Sequence, residues 1–219
     1  MMAIREREII EAVTGLSLAG NEEGLIPAFG LYLTKHFADY YNRISYALLG
    51  DYNRRAPELA EDARELLVEA GHVCAFNTFG GIMTSVEWDA VVAPMIETPT
   101  DWVHGIVAVV NALGWGRWQV SALAPGERLV VQIDDGYEAT GHLRDYPRAD
   151  GPRCFLATGG VAGIMNLVYQ GDVTQRPVFD EAYYLEVFRN PRSFRAREVR
   201  CLAMGDPCCE IVAERMTAG

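Results

Sequence analysis

The sequence predicts an α+β fold: a four-stranded antiparallel sheet with helices packed on one face, preceded by an N-terminal helical region. Three observations carry this prediction. Apolar residues in the first seventy positions recur at helical spacing. Two pairs of alternating runs in the second half flank turns that contain Gly and Pro. A glycine-rich apolar segment separates those pairs.

Taken in order, the opening stretch MMAIREREIIEAVTGLSLAG carries charges where a secretory signal needs an apolar core. From Phe29 the apolar positions Phe29, Leu33, Phe37, Tyr40, Ile44 and Leu48 fall on one face of a helix. A further helix is expected from Pro57 to Ala70, with Gly71 as its stop. GHVCAFNTFGGIMTS then breaks the helical pattern. TPTDWVHGIVAVVNALG reads as a helix with Thr100 as cap, Asp101 near its positive end and Gly114 after its close. WGRWQVSALAPGERLVVQI reads as a β-hairpin about Pro125-Gly126. GPRCFLATGGVAGIMNLVYQG is a buried helix whose Gly159, Gly160 and Gly163 permit close packing. Between Pro177 and Pro191, FDEAYYLEVF has Tyr184, Leu185 and Phe188 at helical spacing, which predicts a short helix, read here as a lid over a pocket or as a fixed cover on the core. FRAREVRCLA and CCEIVAER form a second hairpin about Met204-Gly205-Asp206-Pro207.

Composition narrows the function. The chain has 219 residues, half of them hydrophobic, enough to bury a core without disulfide staples. Its net charge of −11, with no basic run noted, argues against nucleic acid as a partner. The longest uncharged central stretch, from Cys154 to Gly171, is rich in glycine, and its apolar part is too short for the ~20 residues of a membrane span. Five cysteines, an odd number with two adjacent, speak against a disulfide framework and for a cytoplasmic protein. No nucleotide fingerprint or Ser-His-Asp pattern is present, and His36, His72 and His142 lack ligand-like spacing.

The segment EVRCLAMGDPCCE invites a metal, a redox site or a plain hairpin with small buried residues. A three-residue loop places Cys201 opposite Cys209, close enough to share an ion, whereas a loop of two or four residues pairs Cys201 with Glu210. Glu198 joins Cys201 on one face only if the strand is bulged. Cys154 completes a set if the start of the glycine-rich helix docks on the hairpin. Of the adjacent Cys208 and Cys209, at most one belongs to such a site. The plain alternative is that these cysteines are small core residues.

LGWGRWQV, GYEA, CFLATGGVAG and EVRCLAMGDPCCEI together resemble the 4-vinyl reductase, or hydrocarbon-binding, domain family, which includes the sensor module of phenol-responsive transcription activators. The resemblance covers roughly residues 95 to 215. It implies a structural zinc on Cys154, Glu198, Cys201 and Cys209, and a division into a helical region, 1–94, for packing and dimerisation and a ligand-binding domain, 95–219. The spacing from Cys154 to Glu198 is longer than in the sensors, which implies an insertion around Asp172–Arg195. Because the chain stops after the second hairpin, no ATPase or DNA-binding domain is expected to follow.

The function expected is the binding, carriage or sensing of a small hydrophobic, aromatic or tetrapyrrole-like ligand. Trp102, His104, Trp115, Trp118, Tyr137 and Tyr184 are the candidate ligand-binding residues. No catalytic residue is assigned, since neither a nicotinamide nor a flavin motif is present for a reductase. Two alternatives stand beside this reading. One is a cysteine-dependent hydrolase, because GDPCCEI resembles the end of 2-aminothiazoline-4-carboxylate hydrolases. The other is a non-catalytic assembly partner, because the fold family is related to vesicle-transport subunits. The aromatic stripe Phe29–Leu48 exceeds what one sheet face covers, so a homodimer through the N-terminal helices is also expected.

Overall fold

The computed structural model describes residues 4–216. Helix α1 (Glu6–Thr14) is followed by a small hairpin, β1 (Ile26–Ala28) and β2 (Leu31–Leu33). This corrects the expectation of one helical face running from Phe29. Phe29 and Gly30 both take positive φ and form the two-residue tip of the hairpin, and helix α2 (Ala38–Arg55) begins only after Phe37. Phe29 is a bulky residue in the left-handed region, held there by burial of its ring and by the Glu87 carboxylate, which accepts its N–H at 3.0 Å.

Helix α3 (Ala60–Cys74) does not stop at Gly71. It continues through a π-turn, Ala75–Phe79, into α4 (Gly80–Met83). The stop signal was misread because Gly71 serves a crossing. A Cβ there would lie 2.6 Å from the carbonyl oxygen of Leu156 and 2.9 Å from the Cα of Gly159. The whole helical run Pro57–Met83, 27 residues, is long and apolar enough in composition to cross a membrane, which the sequence reading overlooked. Half of its most apolar window is buried inside the molecule.

Helix α5 (Val86–Val91) leads to α6 (Pro99–Ala112). The α6 cap is Thr98 rather than Thr100. Pro99 occupies the first helical position, and Thr98 and Asp101 form a reciprocal capping box. Strands β3 (Gly116–Ala124) and β4 (Arg128–Gly136) form the first expected hairpin, with Gly126 at φ +74° in its turn. Helices α7 (Tyr137–Asp145) and α8 (Phe155–Met165) follow, and α8 runs on through a second π-turn, Asn166–Gln170. Helix α9 (Glu181–Phe188), capped by Asp180, precedes β5 (Phe194–Arg200) and β6 (Cys209–Arg215).

The sheet order is β3-β4-β6-β5, all antiparallel. Helix α8 packs across β5, β6 and β4, and α6 lies against β3. One hydrophobic core joins residues on both sides of position 94: Ile9, Phe76 and Trp88 from the first part, Val107, Ile133 and Val161 from the second. The insertion is no slack loop. Tyr184 and Phe188 of α9 stack on each other and meet Phe76, while Leu185 points to solvent.

Candidate metal centre

The second hairpin and the start of α8 converge on one point. Ladder pairing in β5 and β6 ends at Arg200 opposite Glu210, and this register, carried one step further, sets Cys201 against Cys209. The connection is not a bare three-residue loop. A 3₁₀ turn, Leu202–Met204, leads into Gly205 at φ +97°, and the Asp206 carboxylate accepts the Cys201 N–H at 2.8 Å. Between Glu198 and Arg200 the register slips by one residue. This is the bulge that brings Glu198 into phase with Cys201.

Cys154 closes the group from the α8 side. One ligand atom from each of Cys154, Glu198, Cys201 and Cys209 lies within 4.8 Å of all the others, and the thiols of Cys154 and Cys209 are 3.4 Å apart. A tetrahedron with metal–sulfur bonds of ~2.3 Å has sulfur–sulfur edges of about 3.8 Å, so the cluster is near the size an ion requires. Glu198 Oε2 accepts the N–H groups of Arg153 and Cys154 at 2.9 and 3.0 Å, whereas its Oε1 is buried with no partner. An orphaned carboxylate oxygen among three thiols fits a cation. The Leu202 N–H donates to Cys209 Sγ at 3.3 Å, a contact that suits a thiolate. These four residues could hold a metal ion. Cys208 lies outside the group.

Electrostatics point the same way. Hydrogen bonds from Cys154 and Cys209 draw the Cys201 thiol far below the usual thiol range, and the same network, with burial, pushes Cys154 well above it. Burial, followed by the charge of Cys201, lifts Glu198 to about 8. A divalent cation at the centre of the group would favour the deprotonated forms of these thiols and of the carboxylate. The three thiols of the cluster are buried, so none is placed as an accessible nucleophile. Cys74 is partly exposed, but burial raises its thiol rather than activating it.

Two supporting residues had no visible role in the sequence. Glu138, buried on α7, accepts the N–H groups of Leu156 and Ala157 at 3.0 and 2.9 Å and so caps α8 from a neighbouring helix. Asn166, in the second π-turn, exchanges two hydrogen bonds with the backbone of Phe194 and pins the start of β5. The one legible signal was a polar residue inside an apolar run.

The six aromatic and histidine candidates do not gather in one place. Trp102 stacks on Trp88, and His104 is hydrogen-bonded to Glu6 of α1 at 2.8 Å. Tyr184 is on α9, where its hydroxyl donates to Glu69. Trp115, Trp118 and Tyr137 do share a region. Trp115 meets both Phe79 and Tyr137, and Tyr137 meets Tyr41. Trp118 faces Gly160 of α8 together with Phe79. The Asn111 side chain brackets the Trp118 backbone with bonds of 2.7 and 2.9 Å, yet the Trp118 indole N–H is buried without a partner. Separately, a cleft of about 730 Å³ opens beside Glu198 between α3 and β5, with Val68, Phe155, His72, Arg189 and Arg195 in its walls.

No family model matches the chain, and no curated protein matches it. Among solved structures it is similar to the phenol-responsive sensory domain of the transcription activator PoxR, solved with phenol. The TM-score is 0.67 at 14% identity, over 98% of this chain and 92% of that one. A trafficking protein particle complex subunit 3 from Naegleria fowleri, covalently bound to palmitic acid, gives a TM-score of 0.45 at 12% identity, over 80% of this chain and 96% of that one. At these identities only the first likeness carries weight, and it carries the fold alone: the chain shares its architecture with that domain.

Proposed function

We propose that the chain binds, carries or senses a small aromatic molecule and is held together by a structural zinc on Cys154, Glu198, Cys201 and Cys209. The orphaned Glu198 Oε1 among three buried thiols carries the metal half of this reading. Three thiolates and a carboxylate match zinc's preference, and a closed set of four leaves no open position for catalysis. The ion would act as a cross-link between α8 and the last hairpin. The 4-vinyl reductase family membership and a cytoplasmic location belong to the same reading, the latter supported by five free thiols.

For the ligand, the region of Trp115, Trp118 and Tyr137 is favoured over the open cleft. It is aromatic on several sides, and the unpartnered Trp118 N–H offers one donor to a phenolic oxygen. The neighbouring fold was solved with phenol, which makes phenol the first probe. Metal analysis of protein purified without chelator should give one zinc per chain. Phenol should change tryptophan fluorescence saturably, and Trp118→Phe should weaken binding about tenfold, the value of one lost hydrogen bond. Zinc-free folded protein refutes the first half, and a Trp118→Phe variant that binds phenol as well as the wild type refutes the second.

A further inference from the structure

The cleft of about 730 Å³ between α3 and β5 has the size of a small-molecule site and shares no wall residue with the aromatic region of Trp115, Trp118 and Tyr137. Strand β5 is an edge strand, so side chains from both of its faces reach the cleft along its free side. Ala196 packs on the core, and its small side chain leaves room beside Val68 and Phe155. These three residues give the cleft an apolar surface.

Most of its charged walls are already engaged. Arg64 pairs with Glu61 at 2.7 Å, and Arg153 holds Asp150 at 2.9 Å. Glu198 belongs to the candidate metal group. Glu69 accepts from Arg189 at 2.8 Å and from the Tyr184 hydroxyl, and its other oxygen lies 3.0 Å from His72 Nδ1. Against the upward push of burial, the bonds from His72 and Tyr184 draw Glu69 down to about 2, so it stays an acceptor. The buried His72 therefore carries a hydrogen on Nδ1 and donates it to Glu69. This leaves Arg195 short of a partner. Its Nη1 lies 3.3 Å from the same His72 Nδ1, which cannot donate to Glu69 and accept from Arg195 at once. Its Nη2 donates to the Phe188 carbonyl at 3.2 Å, and among the described residues no carboxylate pairs with it. A half-buried guanidinium with an unmet N–H on the wall of a cleft suits an anion.

We propose that this cleft is a second binding site, for a small organic acid with one carboxylate and an apolar body. Arg195 takes the carboxylate, and Phe155, Val68 and Ala196 take the body. Arg197, exposed and only loosely paired with Glu214 at 3.9 Å, adds positive charge alongside. Glu65, exposed on the α3 wall and without an ion-pair partner among the described residues, limits the charge that fits. A dianion such as phosphate would be repelled by it and would leave the apolar surface bare.

Isothermal titration calorimetry of the full chain with naphthoate tests this, with naphthamide as the neutral control. Naphthoate should bind saturably, one per chain, and the amide about tenfold more weakly or worse. Arg195→Gln should weaken naphthoate about tenfold or more, the value of a lost charge-assisted bond, and leave the amide unchanged. Glu65→Gln, at an exposed position where folding is not at stake, should tighten naphthoate about twofold. Saturating phenol should leave naphthoate binding unaltered, and a failure of phenol itself to bind bears only on the aromatic region. Absence of naphthoate binding overturns the inference. So does an amide that binds equally well, displacement of naphthoate by phenol, or an Arg195→Gln variant that melts cooperatively and binds naphthoate like the wild type. If Arg195→Gln does not fold, Glu65→Gln decides, and no gain in naphthoate affinity refutes the site.

Discussion

Each carboxylate oxygen of Glu198 has its own task. Oε2 holds the N–H groups ahead of α8, and Oε1 is buried without a partner, free for the proposed ion. Glu198→Ala or Cys209→Ser should therefore purify with about a tenth or less of the wild-type zinc, since a missing ligand leaves the site open and unsatisfied. Cys208→Ser should keep it all, and atomic emission on the three proteins decides the matter. Glu138 makes a different contribution. Removing its carboxylate orphans two buried N–H donors, so Glu138→Ala should cost about 2–4 kcal/mol in urea unfolding. Glu138→Gln, which retains an acceptor oxygen, should cost less. Burial raises the Glu138 pKa to about 7 in the fold, against the opposing pull of the α8 N–H groups. Its folded pKa lies above the ordinary value, so the stability tied to its proton is present below about 4.5 and is lost as pH rises through 7. Wild type should lose stability relative to Glu138→Gln between pH 5 and pH 7.5. Parallel pH curves for the two proteins would show that Glu138 is ionised throughout.

At the scale of elements, the crossing of α3 and α8 sets the tightest tolerance. A Cβ on Gly159 would sit 2.2 Å from the Val68 carbonyl oxygen and 2.6 Å from the Gly71 backbone, atoms that cannot swing away. On Gly160, one residue on, it would meet only ring carbons at 3.5 Å or more. Gly→Ala in a helix ordinarily gains about 0.5–1 kcal/mol, so the sign separates the two positions. Gly160→Ala should be neutral or stabilising. Gly159→Ala should be destabilising by about 3 kcal/mol or more as backbone contacts are forced apart. Thermal melts of both variants check this. Helix α9 was open to two readings in the sequence, a lid or a fixed cover. Its buried face is taken up by Phe76, and Val187 and Phe188 are in the core. Its amides should therefore exchange as slowly without ligand as those of β6. Fast exchange that slows when phenol is added would restore the lid. The hairpins were legible because their turn signals are local, as was the need for a bulge at Glu198. Gly71 and Phe29 were misread because what fixes them, a helix crossing and a buried turn, involves residues far away in sequence.

For the whole molecule, α7, α8 and the last hairpin form one connected support, which the proposed ion would tie together. Stripping the metal with a strong chelator should lower the melting temperature by about 10 °C or more, given ~2–4 °C per kcal/mol for a chain of this size. Re-addition of zinc should restore it, followed by calorimetry. The candidate metal-ligand set came from the resemblance, since strand spacing alone left Cys201 opposite either Cys209 or Glu210 and asked for a bulge at Glu198, and the fold brings the four residues together. The ligand region could not be read from the sequence. Trp102, His104 and Tyr184 are as aromatic or polar as Trp115, Trp118 and Tyr137, and only the folding of α6, β3 and α8 around one another separates them.

The four candidate metal ligands are divided unequally along the chain. Cys154 precedes α9, and the other three follow it within the closing hairpin. A single cut in the exposed stretch near Val178, ahead of α9, would therefore yield two pieces that share one ion. The shorter piece carries three donors on β5, β6 and their turn, the longer one a single thiol at the mouth of α8. Such halves should reassemble when mixed with zinc and part again when it is withdrawn, so that joining two other proteins through them becomes switchable by a metal.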